Sequence, residues 1–250
     1  MTAAETFAAL HKPGEPLILF NAWDPGSARA VAEAGARAIA TGSWSVAAAH
    51  GLGDGEALPL DLALANAARI VAAVDLPVTI DFEGGYAADP EGVAANIARL
   101  SEAGAVGCNL EDQVVGGDGL HAVEAQAERI AAARAAAGAA FFINARTDLF
   151  LQAPRDAHTL LIDEVMARAG AYAEAGASGF FVPGLAEPDL IARVCAASPL
   201  PVNVMKMPGT PTRAALAALG VARISYGPGP YRIAMTALEE AARRVYAPAE

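Results

Sequence analysis

Cysteine is nearly absent: Cys108 and Cys195 are the only two in 250 residues. They stand at no metal-ligand spacing, and so sparse a use of cysteine points to a reduced, cytoplasmic compartment. Positive charge is scarce as well. Seventeen Lys and Arg face 28 Asp and Glu, a formal net charge of −11. That balance argues against nucleic acid or an anionic membrane surface as partner. It does not argue against an anionic substrate, because a local metal and an Arg reverse the field. No apolar run approaches the ~18 residues that a membrane helix needs; alanine-rich segments account for the positive mean hydropathy. The start, Met1-Thr2-Ala3-Ala4-Glu5, has neither the basic residues nor the apolar stretch of a secretion signal. No linker or low-complexity domain stands out, and the 54% apolar fraction supplies the core of one domain, 1–250.

What the chain does have is regular punctuation. Glu33-Ala34-Gly35-Ala36, Glu102-Ala103-Gly104-Ala105 and Glu174-Ala175-Gly176-Ala177 are helix-to-strand joints in which Gly takes the left-handed turn; Gly138-Ala139 and Gly220-Val221 repeat them. Asp24-Pro25, Asp89-Pro90, Glu187-Pro188 and Thr210-Pro211 mark helix starts. Between these marks lie eight apolar segments: Leu17–Asn21, Arg37–Thr41, Pro77–Asp81, Ala105–Leu110, Ala140–Ala145, Ser178–Val182, Pro201–Met205 and Val221–Ser225. Each is followed by room for a helix, so the expected fold is an α/β (β/α)8 barrel. An open doubly wound sheet would place a glycine-rich phosphate turn after the first strand. Asn21-Ala22-Trp23-Asp24-Pro25-Gly26 is not that turn.

In a barrel the strand C-termini meet at one face, where active sites lie. Read in order, those ends give Gly42, Ser43 and Trp44, then Asp81 and Glu83, then Glu111 and Asp112, then Arg146 and Asp148, then Asn203. Asp81 and Glu83 share parity and point the same way if the extended backbone continues. Gly84 and Gly85 leave space beside them for a ligand or metal. Carboxylates with one Arg suggest a hard divalent cation and an anionic ligand: Mg²⁺ takes oxygen donors and Arg grips a carboxylate bidentately. Backbone N–H groups at Gly42, Ser43 and Trp44 suit a second anionic group.

The motifs Gly42-Ser43 running to Asp54, Asp81-Phe82-Glu83-Gly84-Gly85-Tyr86, Glu111-Asp112 and Ala145-Arg146-Thr147-Asp148 resemble the isocitrate lyase/phosphoenolpyruvate mutase superfamily over roughly Leu17 to Met205. The resemblance implies a barrel whose C-terminal helix is exchanged between subunits of a homodimer or homotetramer. It implies Mg²⁺ (or Mn²⁺) approached most directly by Asp81, its waters held by Glu83 and Glu111, with Asp54 in the outer shell. It implies that Ser43 and Trp44 amides bind a carboxylate and that Arg146 binds the oxo-acid end. The activity it implies is cleavage of a C–C bond in a small 2-oxo or 2-hydroxy dicarboxylic acid through a metal-stabilised enolate. The alternatives are phosphonopyruvate mutase or hydrolase chemistry at a C–P bond, or a non-catalytic 2-oxo acid-binding protein.

The chain departs from the superfamily in two places. Glu83 stands where Asp is common. After Glu111-Asp112, the lyases' Lys-Lys-Cys-Gly-His segment is replaced by Gln113-Val114-Val115-Gly116-Gly117-Asp118-Gly119-Leu120-His121. Its glycines suggest a mobile lid, and Asp118 and His121 are its only titratable groups and so the candidates for proton transfer. By parity Cys108 turns from Glu111 toward the helices as packing, and Cys195 is expected in the core of a helix. His11, His50 and His158 are expected at the surface or as caps, and Lys206 at the rim.

Overall fold

The computed structural model describes residues 1–247. In chain order its elements are α1 (Ala3–Ala9), β1 (Leu17–Leu19), α2 (Pro25–Glu33), β2 (Ile39–Ala40), α3 (Ser43–Ala49), α4 (Leu60–Val71), β3 (Val78–Asp81), α5 (Pro90–Glu102), β4 (Gly107–Glu111), α6 (Val123–Ala137), β5 (Phe142–Arg146) and α7 (Leu149–Gln152). A 3₁₀ turn (Arg155–Leu161) leads into α8 (Ile162–Glu174), β6 (Gly179–Phe181), α9 (Pro188–Ala197), β7 (Val202–Met205), α10 (Arg213–Ala218), β8 (Arg223–Ser225) and α11 (Gly229–Tyr246). The strands are parallel and run β1-β8-β7-β6-β5-β4-β3-β2 around the sheet. Just beyond β1 and β2, Ala22 and Thr41 pair in parallel and bring the two ends together, so the sheet is a nearly closed barrel. The expected (β/α)8 architecture is therefore present, with every expected strand within two residues of its place at either end. None of the described helices is long and apolar enough to cross a membrane.

The punctuation does what its chemistry predicts. Asp24 and Asp89 cap α2 and α5 by accepting the N–H of Ser27 and Gly92, each with Pro at the first helical position. Gly35, Gly104 and Gly176 have φ of 96°, 90° and 97°, the left-handed conformation that lets the chain leave a helix and enter the next strand. Outward-facing strand residues such as Ile80, Cys108, Ile143 and Phe180 pack with Val93, Ile97, Ile130 and Tyr172 of the helices in one continuous core. Cys108 is fully buried there, and Cys195 packs against its edge.

Inside the barrel the filling changes along the axis. At the N-terminal end α1 forms a floor: Phe7 and Leu10 pack with Leu17, Leu19, Ala40 and Phe142. His11 belongs to this floor. It is buried, stacks on Phe142 at a centroid distance of 4.1 Å, and its Nδ1 lies 2.9 Å from the Phe7 carbonyl. His158 is buried as well, with Nδ1 3.3 Å from Glu187 and Nε2 3.2 Å from the Phe150 carbonyl. Neither is at the surface, because the His11 ring stacks on Phe142, the His158 ring meets Phe150 edge-on, and each finds a carbonyl acceptor; the His11 contact with Phe7 nonetheless caps the end of α1, as expected. His50 is exposed at the end of α3 with Nδ1 2.9 Å from the Val46 carbonyl, a cap as expected.

Candidate active site

Above the floor the lumen turns polar. Asn109, Asn144, Asn203, Arg223 and Ser225 are all buried and face one another across the barrel. Arg223 Nη2 donates to Asn109 Oδ1 (3.2 Å) and Asn144 Nδ2 donates to the same oxygen (2.8 Å). Arginine has donors only, so Asn109 must present its oxygen to Arg223 and its NH₂ to the other side, where it donates to Asp81 Oδ1 at 3.0 Å. Burial pulls the Arg223 guanidinium down to about 9, with Asp81 opposing. It therefore remains a cation at neutral pH, and a cation beneath Asp81 is the feature of this site that strand counting alone does not find. Its signal was the inward parity that Arg223 shares with Ser225.

The next layer up is the mouth. Asp81 Oδ2 accepts both the backbone N–H and the hydroxyl of Ser43, at 3.0 and 2.9 Å. Arg146 forms a fork with Asp148 (Nε 2.6 Å, Nη2 2.8 Å), places Nη1 2.8 Å from Glu111 Oε2, and comes within 3.8 Å of Asp81. Burial pulls the Glu111 carboxyl up and works against the Arg146 cation. At these distances the pair is ionic: Glu111, Asp148 and Asp81 together hold Arg146 charged.

Glu83 does not continue the strand. Its φ of 51° is left-handed and β3 ends at Asp81, so shared parity with Asp81 is lost. The side chain is buried and accepts the backbone N–H of Glu56 at 2.6 Å. Burial pushes its carboxyl up to about 7, and Asp81, Asp54 and Glu56 add to the rise against that hydrogen bond. The space beside Gly84 and Gly85 is not open to a ligand. A side chain at Gly84 would meet Val115, Glu56 and Arg129, and one at Gly85 would meet Leu110 and Val93. Arg129 ties this turn down by donating to the carbonyls of Gly84 and Ala87.

A cavity of about 170 Å³ opens over Asp81 and Arg146, with Gly42, Ser43, Trp44, Asp54 and Asn109 among its lining residues. Leu151, Phe181, Pro183 and Met205 complete the wall. Asp54 is exposed at the rim, 3.5 Å from the Ser43 hydroxyl. Asn203 lies below, bonded to Ser225 at 3.2 Å. Asp118 and His121 are not at this cavity. Gln113 and Leu120 pair as a short hairpin whose tip carries exposed Asp118, while His121 lines a separate cavity with Glu56, Tyr86 and Arg129. Lys206 is turned away, its Nζ donating to the carbonyls of Thr210 and Pro211 at 2.6 and 2.9 Å.

Among the described residues no three His, Cys, Asp or Glu side chains form a ready metal cage. A hard cation bound through one or two carboxylates and several waters needs none. The donor set suits such a cation in chemistry and in charge. Asp81 faces the cavity on a braced carboxylate, and Asp54 stands on the same wall. Burial is the main cause of the rise at Glu83, and the negative charge of Asp81, Asp54 and Glu56 adds to it; a divalent ion would relieve that second part.

A parallel barrel with carboxylates and a single arginine around a cavity at its C-terminal mouth is the framework of an enzyme for small anionic substrates. The comparisons name the family. The phosphoenolpyruvate phosphomutase family model matches residues 7–246, and the chain belongs to the phosphoenolpyruvate mutase/isocitrate lyase superfamily as a lyase-like enzyme. An uncharacterized Mycobacterium tuberculosis protein is 37% identical over 96% of this chain and 88% of its own. The 2-methylisocitrate lyase of Escherichia coli is 30% identical over 95% and 84%. Among solved structures, a Burkholderia cenocepacia J2315 protein called a "putative phosphonomutase" superposes with a TM-score of 0.94 at 54% identity, covering 97% of this chain and 98% of its own. Phosphonopyruvate hydrolase in complex with oxalate and Mg²⁺ superposes with a TM-score of 0.88 at 26% identity, covering 98% and 87%.

Proposed function

We propose that the protein is a Mg²⁺-dependent enzyme that cleaves a C–C bond in a small 2-oxo or 2-hydroxy acid. The observation that carries this reading is the pairing of Asp81 and Arg146 side by side in the lining of one cavity, 3.8 Å apart, each braced by buried partners. Asp81 would hold the cation, with Glu83, Glu111 and Asp54 on its waters. When bound, Mg²⁺ supplies Lewis-acid polarisation of the acid's oxygens. The chain's own residues do the rest. Arg146 attracts the carboxylate of the substrate, and the ion pairs to Glu111 and Asp148 fix the plane of its guanidinium. Ser43 and Asn109 keep Asp81 in one rotamer, so little reorganisation accompanies binding. Two free cysteines, one of them fully buried, support a cytoplasmic setting.

C–P chemistry is the second reading, favoured by the 54% identity to the Burkholderia protein. The cavity wall favours the first. A phosphonate carries up to two charges beside the carboxylate, and Arg146 is the cation of the wall. A substrate screen with Mg²⁺ that scores 2-oxo acid release and phosphate release separately decides between them. Release of a 2-oxo acid without phosphate is expected; phosphate release overturns the C–C reading, and Mg²⁺-dependent binding without turnover leaves a 2-oxo acid-binding protein.

The same reading covers assembly. Helix α11 presents Ile233, Met235, Leu238 and Val245 to solvent and, among its described residues, buries Pro230 alone. Between α2 and the start of α10, a groove of about 480 Å³ lined by Ile18, Phe20, Ala30 and Val31 lies where an eighth barrel helix would pack. Exchange of α11 between two copies would fill each groove with the partner's helix.

A further inference from the structure

Arg146 uses three of its N–H donors inside the protein, Nε and Nη2 on Asp148 and Nη1 on Glu111, which leaves one on each of Nη1 and Nη2 for a ligand. Asp148 sets where those two point. An Asp just before a helix ordinarily caps it by accepting N–H groups of the first turn. Asp148 stands before α7 and makes no such bond; its carboxylate is given to Arg146. Its own backbone N–H donates to Asp112 Oδ1 at 3.0 Å, and the N–H of Asp112 donates to the Arg146 carbonyl at 3.1 Å. The backbone of Arg146 and the residue that grips its guanidinium are therefore both tied to Asp112.

Asp112 is fixed in turn from α8. It is fully buried, and its Oδ2 accepts Arg168 Nη1 at 3.0 Å and the Tyr172 hydroxyl at 2.8 Å. Glu164, Arg168 and Tyr172 follow one another at four-residue spacing on one face of α8. Glu164 holds Arg168 Nε and Nη2 at 3.2 and 2.9 Å. Asp112, Arg168 and Tyr172 do not line the mouth cavity. A buried ion pair is a poor way to stabilise a fold, because packed apolar side chains of similar volume do as well or better. What apolar side chains could not do is hold the Asp148 N–H.

We infer that Arg168 and Tyr172 are positioning residues for acid binding: through Asp112 and Asp148 they aim the two remaining N–H groups of Arg146 into the mouth cavity. The inference rests on the proposed role of Arg146 and extends it to α8 residues that a ligand does not touch. Asp81 is braced separately, by Ser43 and Asn109, so this network serves the acid and not the cation.

Two variants test it in the intact protein. Tyr172→Phe removes one donor from Asp112 and keeps the ring that packs against Phe180 and the ion pair with Arg168, so the fold is retained. Arg168→Lys keeps a charge beside Asp112 and loses the contacts to Glu164. Calorimetry measures oxalate binding with saturating Mg²⁺, and electron paramagnetic resonance measures Mn²⁺ binding without an acid. Each variant is expected to bind oxalate more weakly by about 3-fold or more, the coupling found within one hydrogen-bonded network, with Mn²⁺ affinity unchanged. In an Arg146→Lys background, where the fork to Asp148 is lost, the same substitutions are expected to weaken oxalate no further. Equal losses in both backgrounds, or parallel losses of oxalate and Mn²⁺ affinity, would show a merely structural role and overturn the inference, as would full oxalate affinity in both variants; the proposed function survives each of these results. Failure of the unmodified protein to bind Mn²⁺, or oxalate with Mg²⁺, overturns the proposed function and this inference with it.

Discussion

The backbone N–H and the hydroxyl of Ser43 converge on one oxygen of Asp81, Oδ2, at 3.0 and 2.9 Å. Asn109 takes the other oxygen. Three donors on one carboxylate fix its direction. In the free protein the Ser43 amide therefore serves Asp81 and not a ligand carboxylate. Asp81→Asn, which keeps the shape and removes the charge, should abolish the gain in oxalate or pyruvate affinity that Mg²⁺ confers. Ser43→Ala removes the hydroxyl alone and should cost about 1 kcal/mol of that gain. Titration calorimetry with Mg²⁺ and with EDTA measures both, and an Asp81→Asn protein that retains full Mg²⁺-dependent affinity refutes the metal assignment.

Arg146 carries two duties that separate on mutation. Arg146→Ala should weaken binding of a 2-oxo acid by about 1.5–3 kcal/mol through loss of a charged hydrogen bond. It also strands Glu111, which is 4% exposed, so the folded state should lose about 3–5 kcal/mol. Arg146→Lys restores a charge but not the fork to Asp148. It should recover more of the thermal stability than of the affinity. Equal recovery of both would show that Arg146 acts as a point charge only.

His11 makes the floor of the barrel sensitive to acid. Burial, with Arg223 nearby, pushes its imidazole down from 6.5 to about 3, and among protein atoms its Nε2 has no hydrogen-bond partner. The unfolded chain takes up a proton at His11 as pH falls through 6.5, whereas the folded chain refuses it until about 3. Stability from this group is thus complete above pH 6.5 and declines below it, by ~1.4 kcal/mol per pH unit. Glu83 has the opposite sign: its value, raised to about 7, makes the folded state hold a proton that the unfolded chain has released, which favours folding as pH falls from 7 toward 4.5. The difference between wild type and His11→Phe isolates His11. Urea midpoints from pH 7 to 4.5 should show the variant losing less stability than the wild type. Parallel curves would mean that His11 is protonated in place.

The barrel was legible because its signals are local. A glycine that must be left-handed, such as Gly104, and a capping Asp before Pro, such as Asp89, each mark a boundary within a few residues. Inward-facing positions on eight strands then bring Asp81, Glu111 and Arg146 to one end without any further information. Three features were not legible, each for a reason that depends on distant packing. The turn at Glu83 follows from Glu56, 27 residues earlier, offering its N–H, and from Arg129 holding the Gly84 carbonyl. The hairpin from Gln113 to Leu120 lies against Glu56 and Arg129 because Val115 fills the space over Gly84, so glycine room that reads as a ligand site serves a loop. The Arg223–Asn109–Asp81 chain spans 142 positions of sequence, from 81 to 223, and depends on α1 closing the lumen below it.

The last prediction concerns α11, an 18-residue helix whose apolar side has no cover in a single chain. Ile233, Met235, Leu238 and Val245 are 64%, 37%, 62% and 78% exposed. Met235, Leu238 and Val245 share one side of the helix, with Ile233 on the other, and a helix of this length gains most of its stability from packing. The groove has the complementary need: Ile18 of β1, Phe20 just after it and Val31 of α2 line it with no helix above them. Within one chain the aromatic contacts of Trp23 and Trp44 with Tyr231, at 5.1 and 5.9 Å, hold the start of α11 toward the barrel mouth. In the exchange proposed above a second copy would supply the missing helix reciprocally, which would give a closed symmetric pair. Sedimentation should find a dimer or a multiple of it. Met235→Arg together with Leu238→Arg should shift it to monomer and lower its melting temperature, because each charge would enter an apolar groove unpaired. A wild-type protein that sediments as a monomer, or a double variant that keeps the wild-type assembly, would show that α11 is not the exchanged element.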